Sequence, residues 1–337
     1  MNFNSQNTLV LGAGSWGTAL AVLLARNKTP TYLWGRDQKQ VEIMTREGCN
    51  QRYLPNISFP PLLTPIYDLQ QALKHTNQII IAVPSHAFRL TLECITFRNI
   101  PIKTPIIWAT KGLELGTGRL LHEVAIEVLG SDYPIAILSG PTFAHEVAMG
   151  LPTAVTIATT YPAVFTYLAH CLHGNTFRLY TSNDLIGVQL GGAVKNILAI
   201  AAGISDGLGF GSNTRAALIT RGLAELIRLA LANGAKKETL MGLSCLGDLT
   251  LTCTDNQSRN RRLGLALAQG KTLSEALALI DQVVEGIEAA RLVSIRARQA
   301  NVEMPIVEQV YQVLYCNQDP KRAVEMLLNR EQKPEHT

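Results

Sequence analysis

The sequence predicts an α/β chain whose first half folds around a mainly parallel sheet and whose second half is all helical. Two observations carry this. From residue 8 to about 185, short apolar, β-branched runs alternate with helical patterns, the mark of βαβ units; beyond 190 only helical periodicity continues. A third observation is size. With 337 residues, 47% apolar and 17% charged, the chain is long enough for two cores.

The expected strands are TLVLG (8–12), TYLWG (31–35), QIIIAVP (78–84), PIIWATKG (105–112), PIAILSG (134–140), AVTIAT (154–159) and FRLYTS (177–182). Helical patterns lie at 16–27, 117–129 and 161–173, and later at 221–235 and 274–300. No convincing strand, internal repeat or low-complexity tract follows 190, and the tail NREQKPEHT is expected to fray. The predicted domains are therefore 1–188 and 189–337.

Composition excludes several function classes. Thirty Lys+Arg against 26 Asp+Glu give only +4, which suits anionic small molecules better than nucleic acid or a membrane surface. The six cysteines include no C-x-x-C pair and read as reduced thiols, with no metal expected. MNFNSQN does not read as a signal peptide. The apolar stretch LIGVQLGGAVKNILAIAAGIS (185–205) has the length of a membrane span, but Gln189, Lys195 and Asn196 stand near its centre. A lysine there costs roughly 2.5–3.5 kcal/mol in a bilayer, so a buried helix of a globular domain is the better reading.

In TLVLGAGSWGTALAVLLARN (8–27), Gly12, Gly14 and Gly17 fill G-x-G-x-x-G between an apolar strand and an amphipathic helix. The motif is weak alone; in that context it predicts a Rossmann-type dinucleotide site. Gly12 allows the tight turn, Gly14 the approach of the pyrophosphate and Gly17 helix–strand packing, while the backbone N–H groups of Ser15 and Trp16 face the phosphates. At the end of the next strand Arg36 precedes Asp37, and an arginine there accommodates a 2′-phosphate. NADP(H) is thus preferred, with NAD(H) left open.

Ligands of such sheets bind beyond the strands' carboxyl ends. Those ends read VPSHAF (83–88), ATKGLE (109–114) and SGPTFAHEVA (139–148), which aims Lys111 at the crevice. His86 and His145 lack recognisable partners and read as surface residues. In the helical half, Lys195 and Asp248 are lone opposite charges in apolar surroundings, natural partners for each other or for one ligand. SRNRR (258–262) combines Arg259, an amide at Asn260 and a helix start into an anion site suited to phosphate, with Arg261 and Arg262 read as solvating the helix face.

Together these runs resemble the bacterial NAD(P)-dependent glycerol-3-phosphate dehydrogenases: GAGSWGTALA (12–21), VPSHAFR (83–89), ATKGLE, LSGPTFAHEVA (138–148), GGAVKNILAIAAGI (191–204), CLGDLTLTCT (245–254), SRNRRLG (258–264) and VVEGIEAA (283–290), in order and almost end to end. The resemblance implies a helical domain of the 6-phosphogluconate dehydrogenase-like type and reversible reduction of dihydroxyacetone phosphate to sn-glycerol 3-phosphate in the cytoplasm for phospholipid synthesis. It implies cofactor contacts from Ser15, Trp16, Arg36, Tyr53, Ala144, Arg259, Val283 and Glu285. Lys111, Gly140 and Thr142 bridge cofactor and substrate; Lys195 moves the proton; Asp248, Thr252, Ser258, Arg259 and Asn260 hold the substrate. Ser244, Cys245 and Leu263 depart from the family's usual residues at positions that touch packing.

On this reading Asp248 orients Lys195, Lys111 supports the developing negative charge, and Arg259 and Asn260 grip the phosphate. Replacing Lys195 with methionine is expected to stop turnover and leave folding intact. Two rivals remain: a β-hydroxyacid dehydrogenase of the same architecture, and a non-catalytic nicotinamide sensor. No nucleic-acid partner or membrane insertion is expected, and monomer versus homodimer stays open.

Overall fold

The computed structural model describes residues 7–98, 100–332 and 334. The chain divides into two compact units, one running up to Gln189 and the other from Leu190 onward.

The first unit is built on ten strands: β1 (Asn7–Leu11), β2 (Thr31–Trp34), β3 (Cys49–Asn50), β4 (Leu54–Ser58), β5 (Leu63–Ile66), β6 (Thr76–Ile81), β7 (Ile106–Trp108), β8 (Ile135–Ser139), β9 (Thr153–Ala158) and β10 (Phe177–Ser182). Eight form one sheet in the order β10-β9-β8-β7-β6-β1-β2-β5, parallel except between β8 and β9; β3 and β4 form a separate antiparallel ribbon. The chain builds outward from β1 through β2 to β5, then returns to lay β6 on the other side of β1. That reversal is a topological switch point, where such sheets open a crevice.

The inner strands read as continuous apolar runs because both faces are covered. Val10 and Ile80 bury into one core with Leu20 and Leu24 of the helix Ser15–Arg26, while Leu9, Leu11, Ile79 and Ile81 bury into the other with Phe88, Leu92 and Trp108. β5 escaped the sequence pattern because LTPI carries Pro65, which a strand tolerates only at an edge, where β5 lies. The helix expected over 117–129 starts only at Leu121, after Gly116 and Gly118 take left-handed backbone.

The second unit holds no strand among its described residues. The helix Leu185–Gly207 leads into it; it is long and apolar enough to cross a membrane, yet 89% of its most apolar window is buried within the protein. Its glycines let neighbours touch its backbone. A Cβ on Gly203 would stand 2.1 Å from the Arg261 carbonyl oxygen, and one on Gly264 2.1 Å from that of Ile200. The pattern over 274–300 breaks into two helices, Leu273–Ile280 and Glu285–Gln299, because Asp281 closes the first in left-handed backbone at φ 49°.

Candidate active site

In the first unit, the loop after β1 reaches across the switch point. Gly12 has φ +115°, and a Cβ there would stand 2.9 Å from the Ala82 carbonyl group at the end of β6. A Cβ on Gly17 would collide with the Gly12 carbonyl, so these two positions are closed to larger residues. Gly14 is different: a Cβ on it meets nothing within 4 Å. Gly14 also precedes the helix Ser15–Arg26 with no side-chain cap, so the helix's opening N–H groups have no protein side chain assigned to them. Next to them Trp16 buries its indole N–H without a hydrogen-bond partner. An uncapped helix start behind an open glycine fits a dinucleotide pyrophosphate.

Neighbouring residues hold this loop. Ser15 Oγ donates to the Tyr53 carbonyl at 2.6 Å, which brings Tyr53 beside the glycine turn. Asn50, which the sequence did not single out, is buried and donates to the Ala13 carbonyl at 3.0 Å and to Thr18 Oγ1 at 2.8 Å. Arg36 is exposed just past β2. Asp37 accepts from the backbone N–H groups of Lys39 and Gln40 and so caps the next helix. Its carboxylate serves that cap.

Farther along the sheet, Lys111 Nζ and Thr142 Oγ1 both donate to the Gly140 carbonyl, at 3.2 and 3.1 Å. Ala144 opens the short helix Ala144–Met149 directly behind them. The Lys111 loop is anchored by Thr110 Oγ1 on the Val83 carbonyl at 2.7 Å and by Arg89 on Glu114 at 2.5 Å. Arg89 and Glu114 belong to two of the runs that carry the family resemblance, yet their pairing needed coordinates. Burial acts first on the Glu114 carboxyl and favours its neutral form; hydrogen bonds from Arg89 and Thr117 prevail and hold its pKa below the usual range. His86 and His145 are exposed.

In the second unit, the two lone charges meet. Lys195 is 6% exposed and Asp248 1%, and Lys195 Nζ donates to Asp248 Oδ1 at 2.7 Å and to Thr252 Oγ1 at 2.8 Å. The Thr252 hydroxyl spends its own hydrogen on the Asp248 carbonyl at 2.5 Å, which turns its lone pairs toward the lysine. Asp248 begins the helix Asp248–Thr254 and follows a π turn over Leu243–Gly247. Such turns are rare and are frequently found at functional sites. Ser244 and Cys245 lie inside it, and Gly191 makes room for Cys245, whose Cβ would be 3.0 Å from an added one; their role is packing, as is that of the fully buried Leu263.

Ser258 caps the helix Arg259–Ala268 by accepting from the Arg261 N–H at 3.2 Å. Arg259 is half-buried beside it, and burial lowers its pKa while Glu285 opposes the shift. Asn260 uses its amide within the protein: Nδ2 donates to Asn196 Oδ1 at 2.9 Å, and Oδ1 accepts the Gly286 N–H at 2.9 Å. Asn196, adjacent to Lys195, thus ties the lysine helix to the arginine helix and to the start of Glu285–Gln299. Val283 is exposed and Glu285 opens that helix. One expectation fails outright: Arg261 does not solvate the helix face but is buried, paired with Asp206 at 2.5 Å. Arg262 does face solvent. Among the described residues no group of three His, Cys, Asp or Glu side chains forms a metal site, and all six cysteines are free thiols.

The family models for the N-terminus and C-terminus of NAD-dependent glycerol-3-phosphate dehydrogenase match residues 7–164 and 184–325. The chain is also 67% identical to the Nitrosococcus oceani protein named glycerol-3-phosphate dehydrogenase, NAD(P)+, over 98% of this chain and 95% of that one. It belongs to the NAD-dependent glycerol-3-phosphate dehydrogenases. Its Thioalkalivibrio sulfidiphilus relative of the same name is 56% identical over 97% of this chain and 98% of its own. A crystal structure of the Coxiella burnetii glycerol-3-phosphate dehydrogenase matches with a TM-score of 0.94 at 50% identity, over 97% of this chain and 99% of that one. The family is an NAD(P)-dependent oxidoreductase family, so the dinucleotide fit of the glycine loop and the class of chemistry agree.

Proposed function

We propose that this chain reversibly reduces dihydroxyacetone phosphate to sn-glycerol 3-phosphate with NADPH or NADH. The observation that carries the reading is the desolvated Lys195–Asp248–Thr252 cluster, because carbonyl reduction needs one aimed proton donor.

Gly12, Gly14, Ser15 and Trp16 would hold the pyrophosphate, Arg36 a 2′-phosphate, and Tyr53, Ala144, Val283 and Glu285 the remainder of the cofactor. When bound, the nicotinamide supplies or accepts the hydride at carbon 2 of the substrate. Lys195 gives its proton to the oxygen on that carbon during reduction and withdraws it during oxidation. Asp248 and Thr252 fix the direction of the ammonium; the aspartate also offsets the cost of burying it. Lys111, held beside Thr142 on the Gly140 carbonyl, adds positive charge where the carbonyl oxygen becomes anionic. Arg259 grips the phosphate by a charge-assisted contact, with Ser258 and Asn260 shaping the same corner, and this remote binding aligns the reacting carbon. The reading goes with a cytoplasmic enzyme whose product enters phospholipid synthesis.

The test mixes purified protein with dihydroxyacetone phosphate and follows reduced-nicotinamide absorbance, once with NADPH and once with NADH. Loss of absorbance with NADPH supports the reaction and the role of Arg36. Loss with NADH alone keeps the reaction and rejects that role. No loss with either cofactor rejects the reading and favours a β-hydroxyacid substrate or a sensor.

A further inference from the structure

Arg261 joins the three helices that carry the chemistry of the second unit. Its Nη2 donates to Asp206 Oδ2 at 2.5 Å, its Nε to the Cys253 carbonyl at 3.1 Å, and its Nη1 to Asn256 Oδ1. Asp206 lies in the last turn of the lysine helix Leu185–Gly207, Cys253 in the last turn of the Asp248 helix, and Asn256 in the connection to Ser258. Arg261 itself lies in the first turn of the helix that opens with Arg259 and Asn260.

The arrangement is built rather than incidental. Lys195 and Asp206 are eleven residues apart on one helix, three turns, so they share a face. Lys195 holds the first turn of the Asp248 helix, and Arg261, anchored on Asp206, holds the Cys253 carbonyl in its last turn. The buried Cys253 thiol feels all four charges: burial pushes it up to about 12, with Lys195 and Arg261 pulling down and Asp206 and Asp248 pushing up. The Arg261 side chain is 9% exposed and that of Asp206 10%, so the pair is largely desolvated. Arg215 donates to the same Asp206 oxygen at 2.9 Å, which leaves the aspartate a cation when Arg261 is replaced.

We propose that Arg261, anchored on Asp206, is a positioning residue that sets the aim of Arg259 at the substrate's phosphate by holding the corner that Ser258 and Asn260 shape; this rests on the functional reading above. A planar guanidinium serves three acceptors at fixed angles, which a lysine ammonium does not reproduce. Without the fork, the connection from Thr254 to Ser258 loses its tie to the lysine helix, and the phosphate corner loosens while the Lys195–Asp248 contact stays.

The experiment compares wild type with R261M, R261K and R262A. It measures kcat and KM for dihydroxyacetone phosphate, kcat/KM for dihydroxyacetone, which lacks the phosphate, and the thermal transition. R261M and R261K are expected to raise KM for the phosphate ester about tenfold, the loss of roughly one charge-assisted contact, while kcat/KM for dihydroxyacetone holds. R262A, altered at the exposed neighbour, keeps wild-type values. An equal loss on both substrates overturns the proposal, since a merely structural role damages both; so does a lysine variant with full preference for the phosphate ester. If R261M shows no thermal transition, D206N is read in its place, with the same fall in preference expected and an unchanged preference overturning the proposal. Wild-type protein inactive on dihydroxyacetone phosphate is a separate result and overturns the functional reading with it.

Discussion

Replacing Lys195 with methionine separates the chemical from the structural contribution of the buried pair. Methionine keeps a long flexible apolar stem and removes the ammonium. From the sequence alone this substitution reads as silent for folding; the structure changes that expectation. Asp248 is 1% exposed, its Oδ1 lies 2.7 Å from Lys195 Nζ, and the Thr252 hydroxyl is 3.5 Å from the same oxygen. K195M therefore removes the ammonium that faces a buried carboxylate. Breaking one side of such a pair costs about 3–5 kcal/mol, a large share of the ~5–15 kcal/mol that holds a typical domain. The double variant K195M/D248L removes both charges and is expected to recover most of that loss. Turnover should fall in both by at least the ~10²–10⁴-fold that an aimed proton donor contributes. Urea unfolding with midpoints and slopes, cofactor titration and steady-state rates together check this. K195M as stable as wild type would refute the desolvated pair, and turnover surviving in either variant would refute Lys195 as the proton donor.

Three further outcomes follow from other sites. Glu225 is 2% exposed, accepts from the backbone N–H groups of Ile306 and Val307 at 2.8 and 3.3 Å, and is pushed up to about 7, chiefly by burial. The folded state thus holds this proton more tightly than the unfolded chain, so stability is present at low pH and declines as pH rises from about 4.5 to 7, by up to ~3 kcal/mol. The variant E225Q should flatten that decline in pH-dependent melts; an unchanged slope removes Glu225 as its source. G14A should leave the melting temperature unchanged, since its Cβ meets nothing in the protein, yet weaken nucleotide binding about tenfold or more by filling the space assigned to the pyrophosphate; calorimetric titration reads both cofactors. R36L should raise KM for NADPH about tenfold and leave NADH unaffected, and an equal change for both would reject Arg36 as the 2′-phosphate contact.

Much of the architecture was legible in the residues because its signals are local. The inner strands β1, β6, β7, β8 and β9 are apolar runs largely covered on both faces, and the glycine loop announces itself because only glycine tolerates φ +115° with a carbonyl group 2.9 Å from its Cβ position. Lys195 and Asp248 were legible as the isolated charges of the helical half, although only coordinates show Thr252 turned to complete the cluster. β5 was hidden by Pro65, and the break at Asp281 by an apolar period that runs on through the turn.

By itself the sequence determined what depends on spacing: an α/β half, a helical half, a dinucleotide loop at the first strand, and the motifs that mark the family. Tertiary structure alone decided which groups share a site across dozens of residues. It buried Arg261 against Asp206, 55 residues earlier in the chain, made Asp37 a helix cap, and locked Asn260 between Asn196 and Gly286. The physical reason is that an arginine reads the same in a string whether water or a carboxylate faces it. Only the crossing of the helices at Gly203 and Gly264, too close for any other side chain, decides which one does.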